Sequence, residues 1–120
     1  LQALRYFECT SGWEWLRSLA RLQELSLSRY ALDAVPPLAP LPSCTALDLS
    51  CNQIARWRHL APLVPQLQAL QLYRCDLNAV PSALSRRSRL TLLDLSSNPL
   101  KNGGWGRLAP LTVLVELKRP

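Results

Sequence analysis

Apolar and polar residues recur along this chain in a fixed local order. Leu22-Gln23-Glu24-Leu25-Ser26-Leu27 returns as Leu67-Gln68-Ala69-Leu70-Gln71-Leu72. Between these two copies lies Cys44-Thr45-Ala46-Leu47-Asp48-Leu49-Ser50-Cys51-Asn52-Gln53-Ile54. After them comes Leu90-Thr91-Leu92-Leu93-Asp94-Leu95-Ser96-Ser97-Asn98-Pro99-Leu100. A weaker copy starts at Leu1 (Leu4, Tyr6, Cys9), and a truncated one at Leu114 (Leu117). The copies start near 1, 22, 44, 67, 90 and 114, so the interval between them is nearly constant. Counted from the start of each strong copy, positions 4 and 6 are Leu. That two-residue alternation predicts a strand with both Leu side chains inward and positions 3, 5 and 7 outward.

The segments between the strands repeat as well. Val35-Pro36, Trp57 and Val80-Pro81 share one column, with Trp13 and Trp105 near it. Leu16, Leu60 and Leu108 follow Trp by three residues, and Leu19, Leu63 and Leu111 follow three later. Leu at i and i+3 predicts short helical or 3-10 turns. Pro36, Pro37, Pro40, Pro42, Pro62, Pro65, Pro81 and Pro110 exclude long regular helices here. Arg86 stands in the column of Leu41 and Leu63, so the fourth return is expected to be loose or shifted. The insertion Asn102-Gly103-Gly104 is expected to be the loosest stretch.

The shared template, L-x-x-L-x-L-x-x-N-x-L, resembles the leucine-rich repeat. The copy at 90 matches it fully, and the copy at 44 carries Cys for the first Leu and Ile for the last. A spacing of about 21–24 residues lies at the short end of the family range and resembles the typical, intracellular kind. It is too short for the long, helix-rich subclass of the ribonuclease-inhibitor type. The resemblance implies one domain over residues 1–120. Its fold is an α/β solenoid: a horseshoe with a parallel concave β-sheet and irregular or 3-10 convex turns. Five full repeats and a partial one are expected. In the family, Asn at position 9 hydrogen-bonds backbone groups at the turn out of the strand. Asn52 and Asn98 match, and Cys9 and Cys75 are tolerated replacements. Tyr30 departs from the pattern and puts the continuity of the ladder in the second repeat in question. Such arrays need polar caps. None is visible, so the chain reads as a piece of a longer array, or as one capped by Tyr6, Trp13 and Trp15.

Composition narrows the function. Among 120 residues 28 are Leu, and 48% hydrophobic with 18% charged excludes a disordered segment. No 20-residue apolar span exists, so no transmembrane helix is expected, and no signal peptide is visible at the start. The net charge is +6, from 12 Arg, 2 Lys and 8 acidic residues. Arg17, Arg21, Arg56, Arg58, Arg86, Arg87, Arg89 and Arg107 fall in return segments, which makes the convex face or one flank basic. The Trp residues interleaved there read as core. Cys9, Cys44, Cys51 and Cys75 are scattered, with no C-x-x-C, and are read as plain thiols. Asn52, Asn78, Asn98 and Asn102 all lack the N-x-S/T context. Both facts point to a reducing compartment, cytoplasmic or otherwise intracellular.

Catalytic chemistry is not found. His59 lies between Arg58 and Leu60 with no carboxylate to orient it, and reads as a solvated side chain. Gly103-Gly104-Trp105-Gly106 reads as a turn, since no Lys-Ser/Thr follows it. No G-x-S-x-G or paired-carboxylate motif occurs, and no cofactor or metal is expected. The resemblance instead implies binding of another protein on the concave sheet. There the outward columns offer Arg5, Phe7, Glu24, Arg29, Asp48, Gln71, Tyr73, Arg74 and Asp94 as candidate partner-binding residues. Phe7 and Tyr73 serve as anchors, with the charged residues orienting the partner. Two alternatives stand beside this reading. One is electrostatic binding of nucleic acid or an acidic membrane through the Arg-rich return face. The other is a recognition segment of a larger enzyme, such as a ubiquitin ligase or kinase.

Overall fold

A computed structural model describes residues 21–36, 41–84 and 89–100 in full, and of residues 3–4 and 116–118 the backbone. Six strands lie in one parallel sheet in chain order: β1 (Ala3–Leu4), β2 (Glu24–Ser26), β3 (Ala46–Asp48), β4 (Ala69–Gln71), β5 (Leu92–Asp94) and β6 (Glu116–Lys118). The register is constant. Leu4, Leu25, Leu47, Leu70, Leu93 and Leu117 align across the sheet. Parallel neighbours need a long connection, and each return of about 20 residues supplies one. The result is a parallel sheet with few helices, compatible with a leucine-rich-repeat-like fold.

The alternation does what the pattern requires. Leu25 and Leu27, Leu47 and Leu49, Leu70 and Leu72, and Leu93 and Leu95 are all buried. Their cluster is continuous with Val35, Leu41, Leu60, Leu63, Val80 and Leu84 from the returns. Each fully buried Leu contributes roughly 1.5–3 kcal/mol relative to exposure. The ladder also continues past each short strand. The position-6 amides of Leu27, Leu49 and Leu72 donate to the position-5 carbonyls of Asp48, Gln71 and Asp94, at 2.8, 3.0 and 2.9 Å.

Among the described residues the returns contain two 3-10 turns, Val64–Gln66 and Ser82–Leu84. Pro65 sits inside the first, where its missing N–H costs nothing. Gln66 reaches back from that turn to the preceding return and donates to the carbonyls of Leu41 (2.7 Å) and Cys44 (2.8 Å). Trp57 packs half-buried against the core, as expected of its column. In the fourth return buried Leu84 stands one residue later than Leu60 does after Trp57, and Ala83 is only partly buried. Arg86, Trp13, Trp15, Trp105, Cys9 and the 102–104 insertion lie outside the described residues.

Three expectations change. Tyr30 does not interrupt the ladder: β2 and β3 pair in register over three residues, and the Tyr30 amide donates to the Asn52 side chain at 3.0 Å. A position-9 side chain serves the copy before it, so the bonds that an Asn in place of Tyr30 would make fall on the first copy, outside the described residues. Ser50, expected to face outward, is buried at 6% exposure, and its Oγ accepts the Tyr73 amide at 3.1 Å. His59 is half-buried, not fully solvated.

Candidate functional site

Two adjoining surfaces carry the candidate residues: the outward sheet face and the turns that leave the sheet. On the sheet, position 5 forms one straight row across neighbouring strands, Ser26, Asp48, Gln71, Asp94 and Lys118. The position-3 row runs Ala3, Glu24, Ala46, Ala69, Leu92 and Glu116. Glu24, Asp48 and Asp94 are half-buried and Gln71 is exposed. Tyr73 is 38% exposed, a large apolar ring left in solvent beside the Gln71 strand. Arg5 and Phe7 lie outside the described residues.

The structure gives Asp48 and Asp94 work within the chain. Asp48 Oδ1 accepts the Ser50 amide at 2.9 Å, and Asp94 Oδ1 accepts the Ser96 amide at 2.9 Å and also the Ser96 hydroxyl. A short carboxylate two residues before a turn amide fixes that turn. These two acids therefore shape the sheet's edge as well as its charge.

Position 8 is where the chain leaves the sheet. Arg29, Cys51, Arg74 and Ser97 occupy it in successive copies, with φ of 63°, 61°, 56° and 58°. All four are in the left-handed region, which costs an L-residue roughly 1–2 kcal/mol. Their amides are held nevertheless: Arg29, Cys51 and Arg74 donate to the carbonyls of Ser50, Tyr73 and Ser96 at 3.1, 2.8 and 3.1 Å. The repeated ladder holds these three residues there. None is Gly or Asn, so the residue types gave no sign of this geometry.

The position-9 Asn side chains lie just beneath. Asn52 accepts the Tyr30 and Leu32 amides, both at 3.0 Å. It donates to the carbonyls of Leu27 (2.9 Å), Leu49 (2.9 Å) and Ser50 (3.3 Å). Asn98 repeats this set with the Cys75 and Leu77 amides (2.8 and 3.1 Å) and the Leu72, Leu95 and Ser96 carbonyls (2.8, 2.9 and 3.2 Å). Each Asn thus completes the turn of the copy before it, which lacks an Asn. Cys75 takes over one of these duties, its thiol donating to the Leu49 carbonyl at 3.2 Å. Burial pushes the Cys75 and Cys44 thiols up to about 11. Both are therefore protonated and unreactive near neutral pH. Cys51 is a free, half-buried thiol on the turn surface.

Outside this Asn layer the turns enclose an open groove of about 770 Å³. Arg29, Arg74, Asp33 and Asp76 supply its formal charges, with Asn52 and Gln53 between them. The groove brings Arg29 and Arg74 together. Glu24, Asp48, Gln71, Tyr73 and Asp94 are not part of its lining. Sequence columns showed Arg29 and Arg74 as partners in register, but Asp33 and Asp76 stand at different positions of their copies and share no column. Among the described residues no group of three or more His, Cys, Asp or Glu side chains is placed to hold a metal ion. None of the described helices is long and apolar enough to cross a membrane.

No protein-family profile matches the chain. No solved structure matches it either. Among curated proteins, ribonuclease inhibitor from Mus musculus is 38% identical over 68 residues, 51% of this chain. The chain spans about 15% of that relative's length. The matched protein bears the name of the subclass that the interval between copies is expected to exclude, and the similarity does not fix the repeat type. Over about half its length, then, the chain is similar to a leucine-rich-repeat protein.

Proposed function

We propose that this chain is a non-catalytic protein-interaction module whose partner protein docks on the outward face of the sheet. It is built as a solenoid of short leucine-rich repeats, five full copies and a partial one. The sheet face then lies on the concave side, and Arg5, Phe7, Glu24, Arg29, Asp48, Gln71, Tyr73, Arg74 and Asp94 form the contact surface. The observation that carries this reading is Tyr73: a ring 38% exposed, the exposed large hydrophobic side chain among the described residues. Tyr is enriched among residues that dominate binding energy. The similar murine protein is, by its name, an inhibitor of a ribonuclease, itself a protein. Free thiols at Cys44, Cys51 and Cys75 support a reducing compartment.

The test is affinity capture from a cell lysate at low and high salt, with the chain as bait and mass spectrometry plus nucleic-acid quantification as readout. Protein retained at high salt, and lost when Tyr73→Ala and Gln71→Ala are combined, supports the sheet-face site. Protein retained equally by that variant removes the site. Nucleic acid that washes off with salt assigns function to the Arg-rich returns instead.

A further inference from the structure

The groove beside the sheet has a two-copy rhythm, in step with Asp48 and Asp94 of the position-5 row. The copies at 44 and 90 read Asp-Leu-Ser-x-Asn, ending in Asn52 and Asn98. The copies at 22 and 67 place Arg at position 8 and carry no Asn at position 9. The left-handed turn projects Arg29 and Arg74 into the groove with exposed side chains, while Cys51 lies between them. Parallel strands stand about 4.8 Å apart, so two steps separate the two arginines by about 9.6 Å.

That interval fits a polyproline-II chain closely. A polyproline-II chain rises about 3.1 Å per residue with three residues per turn. Residues i and i+3 therefore lie on one face, about 9.3 Å apart. In a β-strand, by contrast, same-face residues fall about 6.6 or 13 Å apart, and neither matches. The lining adds a second constraint. Asp33 and Asp76 offset Arg29 and Arg74, so the formal charges of the groove sum to zero. A uniform polyanion meets the two carboxylates as well as the two guanidinium groups. A segment with acids on one face and bases on another complements both.

We propose that this groove binds an extended polyproline-II segment of a protein partner, with acidic side chains at i and i+3 set against Arg29 and Arg74. Basic side chains on a second face of the segment lie toward Asp33 and Asp76. Bidentate Arg–carboxylate pairing supplies the orientation, and the preformed helix limits the entropy lost on binding. This deepens the reading of the chain as a protein-binding module, but it uses the turn groove and not Tyr73 or the sheet row.

The probe is a fluorescein-labelled peptide of four Glu-Pro-Lys units, titrated with the chain and followed by anisotropy. The control peptide has the same composition arranged as blocks, Glu-Glu-Glu-Glu-Pro-Pro-Pro-Pro-Lys-Lys-Lys-Lys. The variant is R29G/R74G, since glycine takes the left-handed φ without strain and leaves the fold intact. A charge-matched variant, R58A/R89A, removes two exposed arginines from the returns. The expected result is at least fivefold preference for the patterned peptide. Loss of tenfold or more is expected in R29G/R74G, and less than twofold change in R58A/R89A. Equal affinity for both peptides, equal loss in both variants, or no binding at 1 mM protein overturns the proposal. A partner captured from lysate that depends on Tyr73 and Gln71 but not on Arg29 and Arg74 leaves the sheet-face reading standing while removing this one.

Discussion

Asn52→Ala isolates what one side chain does for two copies at once. The Asn52 amide group, 2% exposed, makes five hydrogen bonds, all to backbone. Alanine leaves the Tyr30 and Leu32 amides without this acceptor and takes one donor from three carbonyls, of which Leu49 keeps the Cys75 thiol and Ser50 the Arg29 amide. A buried donor left unpaired costs about 1–3 kcal/mol. Tyr30 and Leu32 are both half-buried, so water compensates in part at each and the expected loss is about 2–4 kcal/mol. A chain of this size has a total stability on the order of 6–18 kcal/mol, so the loss is a large share. Urea denaturation measures it, and hydrogen exchange locates it. The Tyr30 and Leu32 amides should lose protection ahead of the Leu25 and Leu47 amides in the sheet. Asn52→Asp separates the two halves of the role. It keeps the acceptor and removes the donor, so those two amides should stay protected although the protein is weaker. Asn98→Ala should cost a similar amount, through Cys75 and Leu77. A loss below about 1 kcal/mol in Asn52→Ala, or unchanged exchange at Tyr30 and Leu32, would contradict this account of the turn.

Leu70→Ala removes a side chain with no exposed surface and should cost about 2–5 kcal/mol in a urea melt; a loss near zero would mean the side-chain register is wrong. Arg74→Gly relieves a backbone at φ 56°. It should change stability by between about 0 and +1 kcal/mol, because the relieved strain exceeds the extra entropy of glycine in the unfolded chain; marked destabilisation would count against the left-handed turn. Among the described cysteines, a thiol reagent at pH 8 should label Cys51 before Cys44 and Cys75, as read by mass spectrometry. The folded Cys44 and Cys75 thiols titrate near 11, above their unfolded value of 9.0. Their contribution to stability is therefore whole below pH 9 and declines as pH rises toward 11. A C44A/C75A variant should show a shallower decline over that window, and an unchanged slope would remove the assignment.

Much of the fold was legible because its causes are local. Leu at positions 4 and 6 imposes a strand period, and burial of Leu25, Leu47, Leu70 and Leu93 follows from it. The i, i+3 spacing of Leu60 and Leu63, with Pro62 and Pro65 among them, led to the short turn ending at Gln66. The candidate surface was legible in part. Tyr73 and Gln71 stand exposed as their columns required. Ser50 was misplaced because a small hydroxyl at an outward position can fold back onto a neighbouring amide, here that of Tyr73. Nothing in its residue type shows that amide coming within reach.

Residue order alone settled which Leu columns enter the core and where the described strands lie. A two-residue alternation repeated at a nearly constant interval leaves few ways to bury the Leu columns. Stacking in three dimensions settled the rest: Asn52 and Asn98 complete the turns of the preceding copies, and Asp48 and Asp94 fix turns. It also brought Arg29 and Arg74 into one groove with Asp33 and Asp76. Most of these pairings join residues in different copies. Their hydrogen bonds depend on directions and distances of a few ångströms, which the seating of one copy on the next sets and no local period encodes.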